Sequence, residues 1–400
     1  MELSDKGPNV RERVLAVLRG EKPDRHPFID RITIWHLSHT RADNMPEAYR
    51  GKTITEVHRA IGMGEQSMHT PYCLKLHGVE MTARFQGEEF YRETDPIADA
   101  FPDMSELVPL DKAGLTEVSL STPQGTLTTA YELVQDMVAA GQYPYLREHF
   151  MKNLHSDLAV LEYIIDHAEY IPKYDRLQKI QSDLGEIGYV VPLITRIPFQ
   201  QILLDYLGEV STFYALADEP ERIDRMLRLL DDQMTEVLRR LEDFDGFYIE
   251  VPDNMHGLMT NPNLFRQFCL PHYRKYADTL HNQGKKFGSH TDGNVKPLLH
   301  LLTESGLDVC ESFSPTPLTE CTFDEAWQAW KNGPIIWGGI PSPILELRYP
   351  ENKFKDYVSG LLKTIGDRPI ILGVGDLVLD INAIDRVKYI AEQVEAFSLV

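Results

Sequence analysis

Lys285-Lys286-Phe287-Gly288-Ser289-His290-Thr291-Asp292-Gly293-Asn294 lies between two amphipathic segments, residues 263–283 and 297–305. The local order is helix, short strand, polar loop, helix, and the strand ends on a histidine followed closely by a carboxylate. In a parallel α/β barrel such a loop lies on the face where catalytic groups gather. A plainer reading uses the same residues: His290 as a core histidine and Asp292 as the N-cap of the next helix, a common role for Asp-Gly-Asn.

Working outward from this stretch, short apolar runs alternate with helical patterns from about residue 188 onward. The runs cover residues 189–197, 247–251, 287–290, 309–313, 335–340 and 370–374, with helices such as 219–242 and 384–396 among them. This alternation is the pattern of βα units. Its repeat number predicts a single (β/α)8 TIM-type barrel over residues 1–400 rather than a doubly wound sheet. A first strand fits residues 28–35. Residues 72–132 differ, with polar and apolar residues alternating and turns near Gly87 and Pro123-Gln124-Gly125. They read as an inserted antiparallel hairpin region following the first βα unit. No Gly-x-Gly-x-x-Gly opens a helix after any of the strands, which argues against a dinucleotide fold.

Composition narrows the function classes. The 400 residues carry a net charge of −21 and no evident basic patch, so nucleic acid and anionic membrane surfaces are poor partners. The opening octapeptide has no apolar run of a signal peptide and no stretch approaches a membrane span, so a cytoplasmic protein is expected. Four cysteines, Cys73, Cys269, Cys310 and Cys321, lack the close pairing of a zinc ribbon or redox motif. Cys310 stands directly before Glu311 at a strand end and is a conceivable ligand.

If the barrel is correct, the residues just past each strand face one cavity. They are Asp30 and His36, Arg196, Glu250, Asp253, Asn254 and His256, His290 and Asp292, Glu311, and Asp376. Carboxylates converging on a histidine repel one another unless protonated, hydrogen-bonded or bound to a cation, so shifted pKa values are expected. Helix caps and rim salt bridges are the alternative for each carboxylate. Trp35, Phe199, Met255 and Phe313 are positioned to line an apolar pocket, or to be core.

Three stretches resemble the uroporphyrinogen decarboxylase superfamily, which includes corrinoid-dependent methyltransferases. They are Arg11 to Pro27 near the N-terminus, the segment with Asn261-Pro262, Phe265, Pro271, Gly284 and His290 to Gly293, and Ile370-Ile371-Leu372-Gly373-Val374-Gly375-Asp376. The resemblance implies a (β/α)8 barrel, and homodimers are common among such barrels. It departs from the porphyrinogen decarboxylases, whose arginine-rich loop after the first strand is replaced by Trp35-His36-Leu37-Ser38-His39-Thr40-Arg41. It departs from the thiol-methylating branch too, whose His-x-Cys pair and late cysteine correspond to His290, Asp292 and Val374. A harder metal site of His290, Glu250 and Glu311, zinc included, remains open.

The resemblance that remains is to methyltransferases that demethylate methoxylated, chiefly aromatic, small molecules and pass the methyl group to a corrinoid (cobalamin) on a separate protein. An ether oxygen leaves only when protonated or bound to a Lewis acid. His290, oriented by Asp292 or held with a metal, is the first candidate for that acid, and Glu250 and Asp253 are the second. Trp35, His36, Arg196, Phe199, Met255, His256, Phe313 and Asp376 are the candidate substrate contacts. A decarboxylase of a small carboxylated ring, with Arg196 holding the carboxylate, is the alternative enzyme. A ligand-sensing protein that keeps the barrel is a third reading, disfavoured by the cost of burying so many carboxylates.

Overall fold

The computed structural model describes residues 9–397, so the opening octapeptide read above for targeting signals lies outside the described residues. Contacts divide the chain into two compact units: residues up to His69 with Leu177–Pro192 and everything from Gly246, and a second unit of Thr70–Arg176 with Leu193–Asp245.

Among its described residues the first unit holds eight short strands: β1 (Ile29–Asp30), β2 (Gly64–His69), β3 (Gly188–Pro192), β4 (Tyr248–Val251), β5 (Lys286–His290), β6 (Val309–Phe313), β7 (Ile335–Pro341) and β8 (Ile371–Gly375). Every pairing among them is parallel, in one sheet ordered β1-β2-β3 and another ordered β4-β5-β6-β7-β8. An isolated parallel bridge from Phe28 to Leu372 ties the β1 edge to β8. Between β3 and β4 the strands touch without a hydrogen-bonded ladder, so the expected barrel appears as a TIM-type strand order whose ladder is not closed. From β3 to β8 nearly every residue is buried, as expected of parallel strands covered on both faces.

The helices of this unit follow from sequence in the ordinary way. Ile384–Ala396 buries Ile384, Val387, Ile390, Ala391 and Val394, a three-four spacing that turns one stripe inward, with the helices Ile54–Ile61 and Glu351–Ile365 among its neighbours. Ile54–Ile61 and Phe323–Ala329 begin with capping boxes, Thr53 with Glu56 and Thr322 with Glu325, which satisfy otherwise orphaned backbone N–H groups. Among the described residues no helix is long and apolar enough to cross a membrane.

Two expectations change. The first strand is only Ile29–Asp30, and Thr33–Arg41 is a helix, so Trp35 and His36 sit one turn into that helix rather than on a strand. The antiparallel insertion follows β2, not the first βα unit. Gly64-Glu65-Gln66-Ser67-Met68-His69 forms a strand although it lacks any apolar run, because its pairing with β1 and β3 supplies what its side chains do not.

The second unit contains the expected hairpins. A five-stranded antiparallel sheet runs in the order Glu88–Thr94, Glu80–Phe85, Gly114–Thr122, Gly125–Leu133, Tyr145–Glu148, and a three-stranded one joins Ala168–Pro172, Tyr72–Leu76 and Ile97–Ala98. Its longest helix, Pro220–Arg240, starts on a proline whose missing N–H costs nothing at that position.

Candidate active site

Strand register assembles the central cluster. Glu250 on β4 is level with Gly288 on β5, and His290 on β5 is level with Glu311 on β6. Because side chains alternate along a strand, Tyr248 and Glu250 share a face, and the Tyr248 hydroxyl donates to Glu250 Oε2 at 2.6 Å. Gly288 is what leaves room for that phenol: a Cβ there would overlap the Tyr248 oxygen. His290 Nδ1 and Glu311 Oε2 are 2.5 Å apart, and the other carboxylate oxygen of Glu311 accepts from Gln66 Nε2 at 2.9 Å. Donor atoms of Glu250, His290 and Glu311 all lie within 4.8 Å of one another, and so do those of His290, Asp292 and Asp376.

Electrostatics assigns protons within this cluster. Burial alone would drive His290 toward its neutral form, but the carboxylates of Glu311 and, less strongly, Asp292 outweigh it and raise the imidazole to about 9. Glu311 moves the opposite way: burial favours its neutral form, and the imidazolium overrides this and holds it below the ordinary carboxylate range. Glu250 is completely buried, and burial reinforced by the Glu311 charge pushes it well above that range. At neutral pH the cluster is therefore a His290–Glu311 ion pair beside a protonated Glu250. Glu250 Oε1 has no hydrogen-bond partner despite its burial, and neither has the buried Oδ1 of Asp292.

Around this cluster the backbone is strained. A register shift falls between Cys310 and Phe313, and Ser312 (φ 58°) and Asp376 (φ 70°) both occupy the left-handed region that side chains other than glycine rarely adopt. The two are joined, Asp376 N–H donating to Ser312 Oγ at 2.7 Å, while Arg31 donates to the Asp376 carbonyl at 2.8 Å. Such strain persists where surrounding contacts overdetermine it and is concentrated at functional sites. Asp30 at the end of β1 anchors the neighbouring strand by accepting from the Val374 N–H, and burial holds its carboxyl well above the usual range.

A cavity of about 550 Å³ opens beside the cluster, lined by His256, Leu258, Asp292, Gly293, Asn294, Pro317, Leu318, Thr319, Glu320 and Asp376. Its floor is held by the Gly257 N–H donating to the Asn294 carbonyl at 2.9 Å, which joins the loops after β4 and β5.

Several candidates thus come together: His290, Glu250 and Glu311 in the core of the cluster, and Asp292, Asp376 and His256 at its mouth. The partner on the His290 ring nitrogen is Glu311; Asp292 is 3.8 Å from the other nitrogen. Asp253 takes the Tyr273 hydroxyl at 2.6 Å and belongs to neither cluster. Met255 is fully buried, and Phe313 packs edge-on against Trp330, at 5.4 Å between rings, as core. Trp35 stacks on His39 and lines a separate cavity, and His36 bonds the Lys52 carbonyl at 3.0 Å. Arg196 and Phe199 lie in the second unit, where Arg196 pairs with Asp205 at 3.2 Å. Among the described residues Cys310 is in neither cluster, and burial pushes its thiol up. Sequence reading missed Gln66, Arg31, Tyr248 and Ser312. Gln66 left no signal, being on a strand without an apolar pattern, whereas Tyr248 stands two residues before Glu250 and the period of a strand could have found it.

Residues 207–396 match the uroporphyrinogen decarboxylase (URO-D) family. A methyltransferase from Methanosarcina mazei is similar in structure, with a TM-score of 0.57 at 15% identity, covering 98% of this chain and 99% of its own. A GH5 xyloglucanase from Bacteroides ovatus has a TM-score of 0.35 at 9% identity, over 82% of this chain and 97% of its own. No curated protein matches the chain in sequence. The match falls on the stretch that contains β4 to β8 and the Glu250–His290–Glu311 cluster, and the likeness to the methyltransferase is one of fold, a mixed α/β architecture of TIM type over nearly the whole chain.

Proposed function

We propose that this protein is a methyltransferase that takes a methyl group from a methoxylated aromatic small molecule and delivers it to a corrinoid carried by a separate protein. The observation that carries the reading is the buried His290–Glu311 pair beside the fully buried Glu250, whose neutral form burial favours, at the strand ends. An aryl ether needs a proton on its oxygen as the carbon–oxygen bond breaks, and a positioned acid supplies ~10²–10⁴ in rate. His290 holds a proton at neutral pH, Glu311 fixes its ring by the bond to Nδ1, and Gln66 fixes Glu311 in turn. Glu250, neutral and with Oε1 unengaged, is a second donor in the same cluster. The corrinoid, when its carrier docks, supplies the acceptor for the methyl group.

Once the protons of His290 and Glu250 are displaced, the same three side chains fit a divalent ion such as zinc instead: one imidazole and two carboxylates within reach of a common centre, the orphaned Glu250 oxygen among the ligands. A bound ion would supply Lewis acidity toward the leaving oxygen. Decarboxylation of a porphyrinogen is disfavoured, since the cavity beside His290 is lined by Asp292, Glu320 and Asp376 and by no lysine or arginine.

The test is mass-spectrometric detection of demethylated product from a panel of methoxyarenes, with reduced corrinoid, free and bound to candidate carrier proteins, with and without a chelator. Transfer that falls by about 10² or more in His290→Ala is the expected result. Transfer at an undiminished rate in that variant removes His290 from the chemistry, no transfer under any condition removes the reaction class, and insensitivity to chelator removes the metal.

A further inference from the structure

The helix Glu209–Asp218 of the second unit is inverted in its burial. It turns the small side chains of Thr212 and Ala215 inward and leaves its large apolar ones outside: Val210 and Tyr214 are each 69% exposed, Phe213 is 37% exposed, and Ala217 is exposed beyond them. These four stand at i, i+3, i+4 and i+7, the single stripe that a helix ordinarily turns toward a core. Beside the N-terminal end of the stripe a cavity of about 330 Å³ is lined by Leu203, Leu204, Leu207 and Val210. Apolar surface gathered in one place, unlike single exposed side chains, marks a site of association.

We infer that this face is covered by a second copy of the chain, the two helices running antiparallel about a two-fold axis between Phe213 and Tyr214. The stripe is its own mirror: its members are separated by three, one and three positions read from either end. A two-fold contact, in which the same patch serves both copies, needs such a pattern. The axis sets Val210 against the partner's Ala217, large against small, and Phe213 against the partner's Tyr214, ring against ring. It also lays the last turn of the partner's helix over the cavity beside Val210. Charge fits the same arrangement. Each end of the seam brings Glu209 near the partner's Asp218, and Lys152 is the cation that answers them. Its Nζ donates to the His149 carbonyl at 2.5 Å, and the His149 ring packs against Gly208, directly before the helix. The helix itself carries no lysine or arginine to hold an anionic membrane surface. In a chain of net charge −21, a seam whose centre is uncharged is where two copies can approach.

The experiment is sedimentation velocity of the full chain over a concentration series reaching roughly 100 μM, where a micromolar dimer is fully developed. A seam built on one helix and its surroundings belongs with the smaller interfaces, so a dissociation constant on the order of 1–50 μM is expected. Tyr214→Asp places a charge at an exposed position and should weaken association about tenfold or more while the variant melts like the parent. Cross-linking reads the geometry. At a rise of 1.5 Å per residue, position 214 lies about 1.5 Å along the axis from its own counterpart and position 210 about 10 Å. The four native cysteines are buried, so with diamide as oxidant Tyr214→Cys should join two copies through a disulfide and Val210→Cys should not. The cross-linking arm stands even if Tyr214→Asp is unstable. A monomer at every concentration, a dimer indifferent to Tyr214→Asp, no disulfide from Tyr214→Cys, or one formed as readily from Val210→Cys would each overturn the inference. Association is read without turnover, so it stands or falls apart from the methyl-transfer reaction.

Discussion

Glu311→Gln removes one charge from the His290 cluster while keeping the shape of the side chain and an oxygen for the Gln66 amide. The rise of the imidazole from 6.5 to about 9 corresponds to roughly 3 kcal/mol favouring its charged form. Both partners are essentially enclosed, with side-chain exposures of 11% and 3%, so solvent screening does little to reduce that figure. Without the carboxylate, burial dominates and His290 should titrate at or below its ordinary value, neutral at pH 7. The sign for stability follows from linkage: a pKa raised by folding stabilises fully below the unfolded value near 6.5, and that contribution is lost as pH rises through about 9. The variant should therefore lose roughly 3 kcal/mol relative to the parent at pH 6, in line with breaking a buried pair. The gap should narrow by pH 9.5. Histidine-selective NMR titration gives the pKa, and urea unfolding at the two pH values gives the stability. If His290 in the variant still titrates near 9, or the gap does not change with pH, Glu311 is not what charges it.

Other consequences follow from the same geometry. If protonated His290 is the acid, methyl transfer should fall as pH rises through about 9, and this limb should move to lower pH in Glu311→Gln; a pH profile of single-turnover demethylation reads it, and a limb that stays in place assigns the proton elsewhere. Gly288→Ala puts a methyl group where the Tyr248 phenol passes to Glu250, and should cost about 1–3 kcal/mol in denaturant unfolding; a neutral result would mean that the phenol has room to move. Phe313→Ala empties a fully buried position against Trp330 and should cost about 3–5 kcal/mol, which a thermal melt resolves; retained stability would show that Phe313 is not the core residue its burial indicates.

Much of the parallel core was legible because its strands are buried on both faces and must be apolar throughout. Residues 309–313 were read to the residue, as was the helix 384–396, whose stripe repeats every three to four positions. The β2 strand was not legible. Its residues, Gly64 to His69, carry no periodicity, and only the flanking strands on both sides make it a strand. The first strand was read too long because Thr33, Ile34 and Trp35 have the β-branched and aromatic character of a strand, and the helix there was decided by tertiary context.

Of the site, sequence alone determined the chemical inventory and its placement at strand ends: a histidine, several carboxylates and no arginine clamp or cysteine pair, on one edge of a repeating βα pattern. Chain order could not say which carboxylate meets which nitrogen. Asp292 is the nearer neighbour of His290 in sequence, but it lies in the loop past the strand end and stays 3.8 Å from the imidazole, whereas the β5–β6 register sets Glu311 directly beside the ring. The protonation states likewise belong to the folded molecule, since burial is what keeps Glu250 neutral and enclosure with Glu311 is what keeps His290 charged. Residue types set which protons are available; the register of parallel strands and the exclusion of water decided where they reside.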